Sequence, residues 1–208
     1  IAYTTTLHGS INPNFDLNGH TLYIDIANNK QLNSNAYNYQ NGTVVVRSGG
    51  WFRSYSTVNN SPSQSDSRTC DFDLNCPLNL DRDIWVRNLT MRTTKTDVKG
   101  QKALTIFGTY TPVSDYVNNF ILADGSTLYL GGKEGSWDIT AKTLSFASGA
   151  TVTIDLGPRA KASGDQLLTW TERPSGITFK LANNTENYRL VATEEGLFLD
   201  RGLLIIFR

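Results

Sequence analysis

Residues Gly125–Leu130 read Gly-Ser-Thr-Leu-Tyr-Leu, and the chain repeats the pattern at Gly149–Ile154 (Gly-Ala-Thr-Val-Thr-Ile) and at Gly19–Ile24 (Gly-His-Thr-Leu-Tyr-Ile). Looser copies begin at Gly42 (Gly-Thr-Val-Val-Val) and at Gly100 (Gly-Gln-Lys-Ala-Leu-Thr-Ile). In each, a glycine turn precedes apolar residues at every second position, the period of a strand with one face buried. Copy starts lie 23, 25 and 24 residues apart (Gly19 to Gly42, Gly100 to Gly125, Gly125 to Gly149). A strand-and-turn unit repeating at that interval predicts a solenoid, because one coil buries its apolar side only when the next coil stacks on it.

The rest of the chain sorts around this repeat. Ile11, Phe15, Leu17, Leu22, Ile24 and Ile26 alternate with polar residues about the turn Asn18-Gly19, as an opening coil would. Residues 53–78 break the rhythm with Ser-Pro-Ser-Gln-Ser-Asp-Ser and few aliphatic residues, which reads as a loop inserted into the solenoid. Periodicity resumes at Ile84 and runs to Leu156. Residues 157–208 hold short apolar runs about ten residues apart, split by Arg-Pro-Ser-Gly, Asn-Asn-Thr-Glu-Asn and Glu-Glu-Gly. That spacing suits hairpins, and it predicts a β-rich C-terminal cap shielding the last apolar coil. No segment has a helical period. The expected architecture is therefore all-β: a parallel β-helix or solenoid over 1–156, with its insertion at 53–78, and a cap over 157–208.

Composition narrows the function classes. Charged residues make up 18% and the formal net charge is zero, with no basic run, so the electrostatic footprint of a nucleic-acid binder is missing. No apolar run reaches the roughly 20 residues of a membrane-spanning helix. The chain begins at Ile1, which reads as a processed or trimmed piece. Cys70 and Cys76 are the only cysteines. A metal or redox pair would need further ligands, so a disulfide closing a small loop in an oxidising compartment is the expectation, with two reduced, buried thiols as the alternative.

Leu17-Asn-Gly-His-Thr-Leu-Tyr-Ile24 and Ala147-Ser-Gly-Ala-Thr-Val-Thr-Ile-Asp-Leu156 resemble stretches of bacterial autotransporter-type β-strand-repeat surface proteins. So does the tail, in Leu168-Thr-Trp170, Pro174-Ser-Gly-Ile-Thr-Phe179, Tyr188-Arg-Leu-Val191 and Glu195-Gly-Leu-Phe-Leu199. The resemblance implies a right-handed parallel β-helix, exported and either displayed on the cell surface or released. It brings no shared catalytic residues, and the cysteine-bearing insertion lies outside it.

Candidate chemistry is sparse. Only His8 and His20 offer an imidazole, and no nucleophile elbow, triad or metalloprotease spacing accompanies them. Asp71, Asp73, Asp81 and Asp83 flank the cysteines and could gather a calcium ion, a hard cation that favours carboxylate oxygens. A polysaccharide-cleaving enzyme needs carboxylates paired across a groove, and Asp25 and Asp155 occupy matching places in their repeats. Outward aspartates placed there by the repeat itself are the simpler reading. Trp51, Phe52 and Tyr55 cluster at the start of the insertion, as a stacking platform for sugar or a protein partner if exposed, or as packing if buried. The terminal Leu203, Leu204, Ile205, Ile206 and Phe207 form an apolar strand suited to pairing with another copy. The sequence thus leads to the expectation of a non-enzymatic extracellular or cell-surface module without a cofactor (calcium aside), structural, adhesive or filament-forming, whose partners are other copies of itself or a cell-surface protein or glycan. The alternative is a carbohydrate-binding or polysaccharide-cleaving β-helix protein.

Overall fold

The computed structural model describes residues 14–25, 31–33, 38–47, 51–54, 70–75, 78–80, 84–92, 104–112, 120–132, 135–139, 144–184 and 186–201. Among them there is no helix. Eight strands form one long parallel sheet: β2 (Thr21–Ile24), β5 (Gly42–Val46), β7 (Cys70–Leu74), β10 (Leu89–Met91), β12 (Thr109–Thr111), β14 (Thr127–Tyr129), β17 (Thr151–Asp155) and β19 (Thr178–Leu181). Their order in the sheet is their order in the chain, so each coil lies directly on the one before. The fold is a parallel β-solenoid.

Short strands flank this sheet on either side. Preceding members lie in β1 (Asn14–Asp16) paired with β4 (Asn38–Gln40), and in β9 (Ile84–Val86), β11 (Leu104–Ile106), β13 (Phe120–Leu122) and β16 (Ser145–Phe146). Following members lie in β3 (Gln31–Asn33), β6 (Trp51–Ser54) and β8 (Leu78–Leu80), and further along in β15 (Trp137–Ile139) and β18 (Gln166–Trp170). Each of these pairs in parallel with a counterpart in a neighbouring coil.

Alternation on the long sheet sends every second side chain inward, and parallel register stacks like on like. One inner column runs Leu22, Val44, Phe72, Leu89, Tyr110, Leu128, Ile154, Leu181. A second runs Ile24, Val46, Leu74, Met91. Val44, Tyr110, Leu128 and Ile154 are fully buried, whereas Leu22 and Leu181 at the two ends of the column are half-buried. Fully burying such an aliphatic side chain contributes about 1.5–3 kcal/mol, and six of the column's eight members are buried in the core.

Corners into the long sheet are tight. At Asn18-Gly19, Asp124-Gly125 and Ser148-Gly149 the glycine takes φ of 81°, 79° and 74°, a left-handed conformation that costs an L side chain about 1 kcal/mol or more. Three of the five glycines marking the repeat are thus corners. Gly42 is not: it begins β5 after Asn41, which itself holds φ 53°, and its Cα faces Leu17 and the His20 carbonyl so closely that no Cβ fits. Gly100 lies outside the described residues.

Two boundaries differ from the sequence reading. Residues 70–74, expected within the projecting insertion, form β7 in the middle of the long sheet, because Cys70, Phe72 and Leu74 alternate inward and substitute for an aliphatic rung. Solenoid rungs also continue past residue 156, since β18 pairs in parallel with β15 and β19 with β17. The antiparallel part is the hairpin of β20 (Tyr188–Ala192) and β21 (Gly196–Arg201), with β21 laid against β18. A turn at Thr193 joins the two, its Oγ1 accepting from the N–H groups of Glu195 and Gly196 at 3.1 and 3.2 Å. Trp170 donates its indole N–H to the Thr193 carbonyl at 3.0 Å and stacks on Phe179 with centroids 6.1 Å apart. These contacts tie the hairpin to the last rungs.

Candidate functional site

The surface that the solenoid holds out is the exterior of the long sheet. In its first four rungs this surface is charged and paired across coils. Arg47 makes two hydrogen bonds to Asp25, 3.1 Å from Nε and 2.8 Å from Nη2, and its guanidinium lies 5.0 Å from the ring centroid of Tyr23. Tyr23 is the most exposed large apolar side chain described, at 58%. Arg87 grips Asp71 at 2.7 and 2.8 Å, and Arg92 grips Asp73 at 2.5 and 2.7 Å. Fork-to-carboxylate geometry of this kind fixes both partners, and the carboxylates hold the Arg87 and Arg92 guanidinium groups even further above neutral pH than usual.

Asn88 joins three rungs at once. Its Nδ2 donates to Asp71 at 2.7 Å, its Oδ1 accepts from the Thr109 N–H at 2.6 Å, and its carbonyl accepts from the Phe72 N–H at 2.9 Å. Gly108 makes room for it, since a Cβ there would collide with Asn88 Oδ1. In the later rungs hydroxyls dominate the outward positions, at Thr109, Thr111, Thr127, Thr151, Thr153 and Thr178, with Asp155 and Lys180 beside them.

Against this geometry the residues picked out from sequence fall unevenly. Asp71 and Asp73 are on the outer face as alternation requires, and each carboxylate is held by an arginine. Asp81 and Asp83 lie outside the described residues, and among those described no group of His, Cys, Asp or Glu is placed to hold a metal ion. Cys70 is a free, buried thiol, so the pairing with Cys76, which is itself outside the described residues, finds no support. Burial first, and the Asp71 charge second, push the Cys70 thiol up to about 12. Its Sγ–H points at the Asp71 carbonyl, 3.6 Å away. Such a thiol is a small apolar core group, not a nucleophile.

The backbones of Trp51 and Phe52 run in β6, in register with Gln31 and Leu32, but their side chains, and all of Tyr55, lie outside the described residues. So do His8 and the assembly segment Leu203 to Phe207. His20 is an exposed corner residue whose N–H donates to the Leu17 carbonyl at 2.8 Å.

Asp25 and Asp155 do not form a catalytic pair. They sit on the first and seventh rungs, and six steps of about 4.8 Å separate them by about 29 Å. A glycosidase needs its two carboxyl groups roughly 5–9.5 Å apart. Asp25 is held by Arg47, and Asp155 accepts from the Gly157 N–H at 2.8 Å.

The arginine clasps were missed by the sequence reading although a signal existed. Arg47, Arg87 and Arg92 each follow an inward apolar residue (Val46, Val86, Met91), and each reaches back to an aspartate one rung earlier. No family model, curated protein or solved structure matches the chain, so its fold and the geometry of this outer face are the basis for any functional reading.

Proposed function

We propose that this chain is a non-enzymatic, extracellular or cell-surface scaffold of the autotransporter-like kind, a rod of stacked rungs that presents its outer face to a partner. The observation that carries the reading is the unbroken inner column across eight rungs. A column of that length fixes the outer side chains relative to one another over about 34 Å, the reach of seven steps. Repeat architectures use such extended surfaces for contact rather than for enclosing a substrate. In this reading the partners are a cell-surface protein, a glycan or further copies of the chain. Trp51, Phe52 and Tyr55 serve as contact residues, and the Leu203–Phe207 segment serves in assembly.

One observation favours a carbohydrate-binding version of the same role. Tyr23, exposed and flanked by Asp25 and Arg47, combines an aromatic face with fixed hydrogen-bonding groups, the pairing that sugar recognition uses. Electron microscopy of the purified chain, together with its retention on neutral and acidic glycans, separates the outcomes. Filaments support self-assembly, and retention that is lost in Tyr23→Ala supports the glycan version. Release of shortened glycan products would refute the non-enzymatic reading.

A further inference from the structure

Two Asn-Gly dipeptides, Asn18-Gly19 and Asn41-Gly42, lie at the entries to the first two strands of the long sheet, Gly19 in the turn before β2 and Gly42 as the first residue of β5. An asparagine followed by glycine is prone to attack on its side-chain amide by the next backbone nitrogen, because glycine carries no Cβ to shield that nitrogen. Both asparagines hold positive φ, 46° at Asn18 and 53° at Asn41. Their surroundings differ sharply.

Both asparagines are exposed, but nothing lies within 4 Å of the place where a Gly19 Cβ would stand. Gly42 is buried against the Leu17 side chain and the His20 carbonyl. The Asn41 amide is also tied down, its Nδ2 donating to Asp16 Oδ2 at 3.2 Å. A five-membered imide therefore has room at Asn18-Gly19 and none at Asn41-Gly42.

We propose that Asn18 is a built-in modification site, converting through a cyclic imide to aspartate or isoaspartate, and that the fold directs this chemistry to Asn18 and away from Asn41. The Gly19 nitrogen bonds to the Asn18 Cγ, the Cγ–Nδ2 bond breaks, and ammonia departs with the proton that the Gly19 nitrogen gives up. Solvent water then opens either C–N bond of the imide. No oxidant or cofactor is needed. The Gly19 N–H donates to the Asn41 carbonyl at 2.5 Å, so the reaction waits on that one hydrogen bond opening at the exposed turn, while Leu17, His20 and Asp16 stay packed on Asn41-Gly42. Opening to isoaspartate lengthens the main chain by one methylene at the corner. The hydrogen bonds from Gly19 to Asn41 and from Thr43 to His20 then no longer align, and the first rung carries a one-way record of its openings.

Peptide mapping by mass spectrometry tests this on the intact chain, incubated at mildly alkaline pH both folded and in concentrated urea. In urea both asparagines should convert at similar rates. In the folded chain Asn18 should convert several-fold faster than Asn41, with isoaspartate among its products. Equal rates at the two sites in the folded chain would overturn the proposal. So would an Asn18 that stays intact when folded yet converts in urea.

Discussion

Truncating Leu128 to alanine is the sharpest probe of the stacked column. Leu128 is fully buried between Tyr110 and Ile154, its register partners on either side. The substitution removes three carbons, and at roughly 0.8 kcal/mol for each buried group the lost transfer energy is about 2.5 kcal/mol. Backbone ladders hold the neighbouring rungs at their spacing, so the space cannot close. A residual cavity of roughly 60 Å³ at about 24 cal/mol per Å³ adds about 1.5 kcal/mol. The expected loss is about 4 kcal/mol, a large share of the roughly 5–15 kcal/mol that holds a typical domain folded. Urea unfolding followed by circular dichroism reads it directly. Two controls sharpen the test. Outward Thr127→Ala on the same rung should change stability by less than about 0.5 kcal/mol. Leu22→Ala, at the half-buried end of the same column, should cost clearly less than Leu128→Ala. A loss below about 1.5 kcal/mol at Leu128, or equal losses at Leu22 and Leu128, would refute the column.

Other consequences follow from single contacts. Asn88→Ala leaves the Thr109 N–H and the Asp71 carboxylate short of a partner and should cost about 1–3 kcal/mol, whereas Arg92→Ala, which breaks a solvent-exposed pair, should cost under about 1 kcal/mol; paired urea titrations compare them. Gly157→Ala meets both a φ of 51° and the Tyr129 hydroxyl 2.6 Å from the new Cβ, so Tyr129→Ala should recover part of its cost in the double variant, and strict additivity would contradict the clash. The Cys70 thiol should resist alkylation in the folded chain and react on unfolding. Because its pKa is raised from 9.0 to about 12 in the folded state, the folded chain keeps a proton that the unfolded chain loses across that interval. Stability should therefore fall as pH rises from about 9 towards 12, less steeply in Cys70→Val, and identical slopes in the two chains would contradict the shift.

How much of this was readable beforehand depends on the length of the pattern. Thr151–Asp155 and Thr127–Tyr129 announce themselves because five or six residues alternate cleanly after a glycine whose positive φ ends one face and begins the next. Cys70–Leu74 does not, because a thiol and a phenylalanine take the inward places while two aspartates take the outward ones, a mixture that reads as loop until a neighbouring strand shows its register. Rung spacing misled for a related reason. Seventeen residues separate Phe72 from its partner Leu89, yet twenty-eight separate Val44 from Phe72, because segments between faces lengthen without disturbing the stack. The arginine clasps were illegible one strand at a time: Asp71 and Arg87 meet only when coils are superposed. The same blindness made Asp25 and Asp155 look alike, since equivalent places in two repeats say nothing of how many rungs lie between.

Tyr23 and Asp155 occupy one outer column at opposite ends of the sheet, six rungs apart. Spin labels at these two sites, measured by double electron–electron resonance, should give one narrow distance centred near 29 Å between backbones, the product of six steps of about 4.8 Å, plus the label arms. A centre below about 20 Å, or a broad distribution without a dominant distance, would contradict the stacking of rungs on which the scaffold reading stands.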